Sequence, residues 1–407
     1  MYRGLGFVTG TGQIPFIGTV RLLASPNPDT AIALVALSME NRAFTFQPGG
    51  AGYTAAYRVE VSLRRDTTLA RRVVRDGRAV VANYLQSRGT EDSVVFQDVV
   101  PVAAGRYRLA IVVSDRNGPN VGRYDGTFAV PEFRPPALST PIAVDRADPR
   151  PDLAAMPDMV VNPRATVDFG SDSLRFYVEG YSLAAGSAVV ATVLDSAGDV
   201  GWADTTHIAR TGPLDPMVVA VAPQALSLGR HELRVGLAGG DVVAVAPFLV
   251  ALSGDWVVGS WREMLSLLRY FTADDTLQAL ARTPPADRAA AWRKFYRETD
   301  PAHATSENEA LDTYFARMVQ ANELFRDEGV PGWLTDRGEV YVTLGPPAQM
   351  LDERPDFRGR GRTLVWIYDQ PHLELYFVDQ SGFGRLRLST GSRSDFQLLV
   401  NRLRRGS

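Results

Sequence analysis

The chain has 407 residues, of which 45% are hydrophobic and 22% are charged, and its formal net charge is −3. This length is too great for one ordinary hydrophobic core, so we expect several domains. The slight negative charge gives no general attraction for nucleic acid. The lack of cysteine excludes disulfides, thiol nucleophiles and thiolate zinc sites. Because no apolar run approaches the roughly 18 to 20 residues of a membrane-spanning helix, we expect no transmembrane segment, while peripheral contact with a membrane stays open.

Residues 1–134 have the pattern of an all-β domain behind a glycine-rich leader. Apolar and polar residues alternate from Thr54 to Leu63, and Val94 to Val102 and Tyr107 to Val113 are further candidate strands. Turn-rich clusters separate such runs at intervals of about 8 to 12 residues, which favours a β-sandwich. Residues 135–151 are rich in proline and in polar residues, so we predict an extended linker there.

Residues 152–254 look like a degenerate second copy of the first region. The stretch Gly105-Arg106-Tyr107-Arg108-Leu109 aligns with Gly229-Arg230-His231-Glu232-Leu233. The Gly-x-Tyr-x-Leu pattern resembles the corner that opens a late strand in immunoglobulin-like sandwiches. The sequence therefore predicts two tandem immunoglobulin-like β-sandwiches.

Helical periodicity begins after the second β region. Apolar residues recur at helical spacing from Trp261 to Phe271, so we predict a helical segment over residues 255–305. Ser306 and Glu309 form a capping-box pattern. This pattern predicts that a long amphipathic helix begins the last domain, residues 306–407.

After Gly332, apolar residues again occur at every second position, as in a strand. Alternation predicts four strands, over Glu339 to Leu344, Leu364 to Tyr368, Leu373 to Asp379 and Phe383 to Leu388. Short polar connections between them are typical of antiparallel hairpins. We therefore predict an α+β domain in which the helix after Ser306 packs on a four-stranded antiparallel meander. The chain as a whole is predicted to be mainly β.

The stretch Gly332-Trp333-Leu334-Thr335-Asp336 resembles the signature of the bacterial GWxTD-domain proteins. Further motifs of that family follow in order over about residues 285–390, among them Trp366-Ile367-Tyr368 and Phe377-Val378-Asp379. The resemblance implies an exported envelope protein with β-sandwich modules ahead of the signature domain. It implies an extracytoplasmic location, in the periplasm or at the outer-membrane surface. It implies no reaction.

The signature residues have a structural interpretation, which we prefer. An aromatic side chain suits a small core, and short polar side chains bond neighbouring backbone N–H groups in a tight turn. Glycine before the predicted strand would supply a positive φ, and a Gly-Pro pair would end that strand. The residues interpreted in this way are Gly332, Trp333, Thr335, Asp336, Gly338, Gly345 and Pro346.

A catalytic interpretation of the same region uses its carboxylates. Asp336, Glu339 and Asp379 would form a carboxylate cluster, with Arg337 binding an anionic group of the substrate. Paired carboxylates held at a suitable separation serve as acid and base in glycoside hydrolysis. Metal chemistry is not expected, because the four histidines, His207, His231, His303 and His372, form no metal-binding spacing. We expect no cofactor.

Arginine clusters are the candidate partner-binding residues. Arg354, Arg358, Arg360 and Arg362 lie in one glycine-containing segment, and Arg402, Arg404 and Arg405 lie near the end of the sequence. The guanidinium group binds carboxylates and phosphates bidentately, so an acidic partner would suit the first cluster.

The function that these observations favour is non-catalytic. We expect an extracytoplasmic accessory or scaffold subunit that docks on and bridges components of a larger bacterial envelope or membrane complex. That complex would be a secretion, outer-membrane, respiratory or photosynthetic assembly. One alternative is a hydrolase of envelope polysaccharide or peptide. Another is a carbohydrate-binding module in which Trp202 and Tyr53 stack on sugars.

Overall fold

A computed structural model of the chain describes residues 2–49, 52–88, 93–169, 173–209, 212–223, 226–240, 243–251, 260–301, 308–325, 330–353, 362–379 and 385–405. The protein is mainly β, as the sequence predicts. It divides into two compact units, Met1–Ser260 and Trp261–Ser407. Within the described ranges, none of the helices is long and apolar enough to span a membrane.

The described N-terminal part of the first unit is one antiparallel sheet of nine strands. Its elements are β1 (Val8–Gly12), β2 (Phe16–Ala24), β3 (Thr30–Glu40), β4 (Gln47–Gly49), β5 (Gly52–Arg65), β6 (Thr68–Val81), the short helix α1 (Tyr84–Arg88), β7 (Ser93–Ala103), β8 (Gly105–Asp115) and β9 (Val121–Val130). The strands lie in the order β4-β5-β8-β9-β1-β2-β3-β7, and β6 also pairs with β5. β1 pairs with both β2 and β9 and so joins the two halves of the sheet.

This sheet curls around one apolar core because its strands alternate. Val59 and Val61 of β5 are buried in the same cluster as Ile111 of β8 and Leu37 of β3. The residues between them on β5 and β8 face outward and are more exposed. The alternation read from Thr54 to Leu63 is therefore confirmed by β5.

The second β region of this unit consists, in the described residues, of two five-stranded sheets. Its strands are β10 (Ala137–Leu138), β11 (Ile142–Asp148), β12 (Asp158–Val161), β13 (Thr166–Asp168), β14 (Leu174–Tyr181), β15 (Ala188–Asp195), β16 (Val200–His207), β17 (Asp215–Val221), β18 (Gly229–Leu237) and β19 (Val243–Ala251). One sheet has the order β10-β14-β11-β12 with β17 beside β14, and the other has the order β13-β19-β18-β15-β16. Phe176 of the first sheet packs edge-on against Phe248 of the second, with ring centroids 5.5 Å apart.

The segment that we expected to be an extended linker, residues 135–151, contains β10 and β11. Ile142 and Val144 of β11 are buried in one cluster with Leu23 of β2 and Ile32 of β3. The prolines of the segment lie outside both strands, so they remove no ladder hydrogen bond. The two β regions therefore share apolar contacts across this segment.

A buried ion pair lies beside those contacts. The side chains of Arg150 and Glu179 are 0% exposed, and their Nη2 and Oε2 atoms are 2.6 Å apart. The hydroxyls of Tyr177 and Tyr181 donate to Glu179 at 2.7 Å each. Arg150 also donates to the carbonyl of Ala24 on β2 at 3.1 Å. We call Arg150, Tyr177, Glu179 and Tyr181 the inner clamp, because it ties the second β region to the first.

Equivalent corners begin β8 and β18. The Tyr107 hydroxyl donates to the carbonyl of Ala103 at 2.9 Å, and Nε2 of His231 lies 2.7 Å from the carbonyl of Ser227. In both corners the acceptor is four residues upstream of the ring, and the glycine two residues before the ring has a positive φ, +146° and +113°. The two stretches that align in the sequence therefore form the same kind of corner in the structure.

The second unit combines helices with a four-stranded antiparallel sheet. Its described elements are α2 (Trp261–Leu267), α3 (Asp274–Ala281), α4 (Arg288–Glu298), α5 (Glu309–Leu324), α6 (Asp336–Leu344), β20 (Gln349–Glu353), β21 (Thr363–Tyr368), β22 (Leu373–Val378), β23 (Arg387–Leu388) and α7 (Thr390–Arg405). The predicted strands at Leu364 to Tyr368 and Leu373 to Asp379 are confirmed by β21 and β22. Of the predicted strand from Phe383 to Leu388, only Arg387–Leu388 forms a strand, β23; residues 385 and 386 are not in a strand, and residues 383 and 384 lie outside the described residues.

The predicted strand from Glu339 to Leu344 is wrong, because these residues belong to the helix α6. Alternating apolar residues in so short a run fit either period. The deciding signals were the Thr335 N-cap and the acidic residues Asp336 and Glu339 in the first turn, which favour a helix N-terminus. The first strand of the meander is instead β20.

The start of α5 also differs from the prediction. The helix begins at Glu309, and its N-cap is Asn308, whose Oδ1 accepts the N–H of Leu311 at 3.0 Å. Ser306, which we expected to cap this helix, lies outside the described residues. Asn308 is fully buried and also donates to the Tyr296 carbonyl of α4 at 2.6 Å, so this cap connects two helices.

Candidate functional site

The signature sequence forms a turn that leads directly into α6. Residues Gly332–Leu334 make one 3-10 turn. The Thr335 hydroxyl donates to the Gly332 carbonyl at 2.7 Å and accepts the N–H of Gly338 at 3.0 Å. Thr335 is fully buried. Its side chain therefore closes the turn and also caps the helix, because the Gly338 N–H is one of the first-turn donors that have no acceptor within the helix.

Two glycines of the signature are required by close backbone contact. A Cβ on Gly332 would lie 2.1 Å from the Ala321 carbonyl oxygen of α5. A Cβ on Gly338 would lie 2.0 Å from the carbonyl oxygen of Gly332. Gly338 was expected to have a positive φ, but it lies within α6 and is absent from the positive-φ positions. Its role is to let the helix touch the turn.

Trp333 holds this turn against neighbouring helices. Its side chain is largely buried, at 8% exposure. Its backbone N–H donates to Oδ1 of Asn322 on α5 at 3.2 Å. The indole packs edge-on against Tyr270, with centroids 5.8 Å apart, and the guanidinium of Arg269 lies 5.2 Å from its ring. Aromatic and cation–π contacts of this kind are those of a packed side chain.

The carboxylates at the start of α6 share one arginine. Arg393 of α7 lies 2.6 Å from Oδ2 of Asp336 and 2.6 Å from Oε2 of Glu339. Asp336 also accepts the backbone N–H of Leu388 at 2.8 Å and pairs with Arg387 at 3.3 Å. We call Arg393, Asp336 and Glu339 the signature clamp.

The two carboxylates of the signature clamp favour the protonated form of Arg393. Burial acts to lower the pKa of the Arg393 guanidinium, but the hydrogen bonds and negative charges of Glu339 and Asp336 outweigh it, so the pKa is raised. The clamp joins the first turn of α6 to α7 and β23. Both carboxylates of the clamp therefore bind a side chain that stays positively charged.

The other residues of the catalytic interpretation are packed. Asp379 follows β22 and is 4% exposed. Arg337 is 8% exposed, and its guanidinium lies 4.9 Å from the centre of the Phe325 ring, so the side chain belongs to the packed interior. Across the part of the chain that the structure describes, no group of three or more His, Asp or Glu side chains is arranged to hold a metal ion.

Gly345 and Pro346 end α6. Gly345 has a φ of +84°, and its N–H donates to the Tyr341 carbonyl at 2.8 Å. Its own carbonyl accepts the hydroxyl of Tyr368 at 3.0 Å, and burial raises the pKa of that phenol. Pro346 is exposed and follows the helix directly. These residues connect α6 to the sheet, where Tyr368 ends β21.

The predicted partner-binding arginines are described only in part. Arg354, Arg358 and Arg360 lie outside the described residues. Arg362 donates to both carboxylate oxygens of Asp352, at 3.0 and 2.9 Å. This pair connects β20 to the residue before β21. Docking of an acidic partner on this segment stays a prediction.

A groove of about 490 Å³ lies beside the signature helices. Its lining includes Tyr270, Tyr314, Arg317, Thr343 and Arg404. Arg317 donates to the Thr343 carbonyl at 3.3 Å, and Arg404 donates to the Arg269 carbonyl at 3.1 Å. Both arginines in the groove therefore bind carbonyl groups at helix ends, and neither clamp carboxylate lines it.

Residues 255–383 match the model of the GWxTD domain family. This chain carries a GWxTD domain. The match begins earlier than the motifs in the sequence indicate and ends before α7. Arg393 therefore lies beyond the matched GWxTD residues, yet it binds the carboxylate of the signature aspartate.

Other comparisons are distant. No curated protein matches the chain. Among solved structures, trypsin-activated alpha-2-macroglobulin from Escherichia coli is 14% identical, with 62% of this chain and 17% of that chain covered and a TM-score of 0.20. A Bifidobacterium dentium beta-glucuronidase in complex with coumarin-3-O-glucuronide is 10% identical, with 60% and 48% covered and a TM-score of 0.17. The chain thus spans less than half of either protein, and similarity at this level says nothing about its function.

Sequence reasoning missed Arg393 and Arg387 as partners of the GWxTD signature. The arginine cluster Arg402, Arg404 and Arg405 belongs to the helix α7, Thr390–Arg405, which we did not predict. Phe396, Leu399, Val400 and Leu403 recur at helical spacing, which is the signal that predicts this helix. No spacing rule predicts which carboxylate a residue of α7 will bind.

Proposed function

We propose that the protein is a non-catalytic, extracytoplasmic accessory or scaffold subunit that docks on and bridges components of a larger bacterial envelope or membrane complex. The observation that carries this proposal is the signature clamp. The acidic residues in the first turn of α6, Asp336 and Glu339, are both bound by Arg393, at 2.6 Å to each carboxylate. Side chains used in this way hold three elements together and leave no free acid–base pair at the signature.

The division of the chain suits bridging. The two compact units, Met1–Ser260 and Trp261–Ser407, each have their own core and surface. The contacts of the inner clamp make the first unit a continuous β structure instead of two loosely linked modules. Rigid scaffolds that present long strands and loops are common sites of protein recognition. Two such units offer separate surfaces to separate partners.

We further propose that both β regions of the first unit are immunoglobulin-like. In that fold, a tyrosine at the start of a late strand donates its hydroxyl to the backbone a few residues upstream. Tyr107 makes this bond to Ala103, and His231 makes the equivalent bond to Ser227. The strands of the first β region form one nine-stranded sheet and not two separate sheets. The immunoglobulin-like proposal therefore rests on the two corners.

Co-purification tests the scaffold proposal. The tagged full-length chain, expressed in its own bacterium and recovered after mild solubilisation, should retain defined envelope proteins in fixed ratios by mass spectrometry. A tagged exported protein of similar size serves as the control for non-specific retention. Recovery of the chain alone, together with cleavage of an envelope polymer by the pure protein, would contradict the proposal. Fractionation of the same cells checks the extracytoplasmic location.

A further inference from the structure

The outer face of the N-terminal sheet carries an unusual set of charges. Strands β6, β5, β8 and β9 lie side by side, and alternate residues on each strand point away from the core. The charged residues on this outer face are Arg58, Arg64, Arg72, Arg78, Arg106, Arg108 and Arg123, together with Glu60, Asp76 and Asp125. We call this set the arginine face.

Cross-strand ion pairs use all three acidic residues of the arginine face. Arg58 pairs with Asp76 at 2.8 Å, Arg72 with Glu60 at 2.8 Å, and Arg108 with Asp125 at 2.7 Å. In the described part of the chain, Arg64, Arg78, Arg106 and Arg123 have no carboxylate partner, and all four are exposed. Seven arginines minus three acids leave the face with a net charge of +4, on a chain whose total is −3.

The unpaired arginines are too far apart to hold one small anion. Arg64 lies opposite Arg108, and Arg78 lies opposite Ala56. Positions 56 and 64 are eight residues apart along β5, which is roughly 26 Å at about 3.3 Å per residue. A ligand that reaches both ends has to be an extended surface with distributed negative charge.

Two features of the face favour a protein over a uniform polyanion. Glu60, Asp76 and Asp125 already pair with three of the seven arginines, so the unpaired positive charge stands at four separate positions, which favours a partner whose negative charges match those positions over a surface of even negative charge. Val74 and Val80 point outward on β6 and are 37% and 60% exposed. Arginine beside exposed apolar side chains is the composition of protein–protein interfaces.

A groove at one end of the face gives a place for partner carboxylates. It has a volume of about 460 Å³, and Arg64, Arg106 and Arg108 contribute to its lining together with Asp66 and Thr127. Of these arginines only Arg108 has a carboxylate partner among the described residues. A glutamate or aspartate side chain of the partner would receive bidentate hydrogen bonds there.

We propose that the arginine face is the docking surface for an acidic protein partner, whose carboxylates bind Arg64, Arg78, Arg106 and Arg123 and whose apolar residues cover Val74 and Val80. The proposal rests on the scaffold function and names the chemistry of one partner. It is independent of the segment that contains Arg354, Arg358 and Arg360.

The test compares two fourfold substitutions in the full-length chain. The first replaces Arg64, Arg78, Arg106 and Arg123 by Gln. The matched control replaces four exposed arginines of the second unit by Gln, namely Arg262, Arg282, Arg293 and Arg297, and so changes the net charge equally. Both variants should keep wild-type circular dichroism, because the substituted side chains are exposed.

Binding is measured with each partner identified by co-purification, after that partner has been purified. The face variant should bind one of them at least about tenfold more weakly than wild type, with a flatter dependence of Kd on salt, since rim charges are screened at high ionic strength. The control variant should bind as wild type does. A photo-crosslinker at Val80 should capture a peptide of net negative charge from that partner.

Each contrary outcome has a distinct meaning. If partners co-purify but the face variant binds all of them as wild type does, the docking surface is wrong and the scaffold function stands. If no partner co-purifies, the scaffold function itself fails. If the face variant instead loses binding to vesicles that contain anionic phospholipid, and Val80 crosslinks to no protein, the face binds a lipid surface and the acidic-protein proposal is overturned.

Discussion

The two arginine–carboxylate clamps of this protein differ mainly in their burial. Arg150 and Glu179 of the inner clamp are 0% exposed, whereas Arg393, Asp336 and Glu339 of the signature clamp are 30%, 13% and 27% exposed. Water has access to the second clamp and is excluded from the first. The charges of the inner clamp are therefore balanced only within the protein, while those of the signature clamp have water as an alternative partner.

Because of this difference in burial, we expect the loss of a member of the inner clamp to reduce stability more than the loss of a member of the signature clamp. A buried ion pair is costly to form, but removing one member leaves a charge without a partner in the interior. A partly exposed pair contributes less, because water screens it and can replace either partner. The inner clamp joins the two β regions through Ala24, and the signature clamp joins α6 to α7. The following predictions test this comparison.

The largest effect is expected for Glu179→Gln. The substitution leaves the Arg150 guanidinium buried without a counter-charge, which should lower the free energy of unfolding of the first unit by about 3 to 5 kcal/mol. Glu60→Gln, which removes the partner of the exposed Arg72, is the matched control and should cost about 1 kcal/mol or less. Chemical denaturation followed by fluorescence measures both. Equal costs would show that burial does not distinguish the pairs.

A smaller effect is expected for Gly338→Ala. The added methyl group would lie 2.0 Å from the Gly332 carbonyl oxygen, so α6 must move away from the signature turn, at a cost of about 1 to 3 kcal/mol. Gly391→Ala is the control, because an added Cβ there meets nothing within 4 Å. Thermal unfolding should show a lower Tm for the first variant alone. An unchanged Tm would mean that close contact is not the reason for glycine at this position.

Arg393→Gln should cost about 1 to 2 kcal/mol, because the bonds that it removes are charge-assisted but partly hydrated. Arg402→Gln changes the net charge equally at an exposed position of the same helix and serves as the control. Hydrogen exchange should increase in α7 and in the first turn of α6 in the Arg393 variant. Increased exchange confined to α7 would mean that the clamp does not hold α6.

The inner clamp should also make stability depend on alkaline pH. Burial, helped by the charge of Glu179, raises the pKa of Tyr177 and Tyr181 above the ordinary value of 10.0. The unfolded chain therefore loses these protons first. The stability from the neutral phenols is complete below pH 10.0 and is lost as the pH rises above that value toward the folded-state pKa.

Denaturation curves at neutral pH and just above pH 10.0 measure this loss. Tyr181→Phe should reduce the dependence on pH, because it removes one of the titrating groups, even if it also lowers stability at neutral pH. The same pH dependence in Tyr181→Phe and in wild type would assign the alkaline loss to other groups.

The sequence predicts those features of the fold that depend on local patterns. Alternation over Thr54 to Leu63 predicts β5, and the repeated Gly-x-ring-x-Leu pattern predicts two corners that the structure builds alike. Local ambiguity explains the error at α6, where Val340 and Val342 fit both periods. Proline content misled us at residues 135–151, because prolines between strands do not prevent pairing.

Local patterns in the sequence predict the structural roles of the signature residues, but they do not predict the distant partner Arg393. Glycine, threonine and tryptophan of the signature act within a few residues or against a neighbouring helix, so their structural interpretation needed no distant partner. Arg393 and Glu339 are 54 residues apart in the sequence. A contact over that separation depends on the tertiary fold, and a single sequence does not contain it.

Asp336→Asn tests the central claim, that the GWxTD carboxylates hold the domain together and do not catalyse a reaction. The substitution weakens the bonds to Arg393 and to the Leu388 N–H. We expect a lower Tm for the second unit in the full-length chain, and no cleavage of purified peptidoglycan or envelope polysaccharide by either wild type or variant. A wild-type Tm in Asp336→Asn, together with hydrolysis that the wild-type protein performs and the variant has lost, would contradict the account.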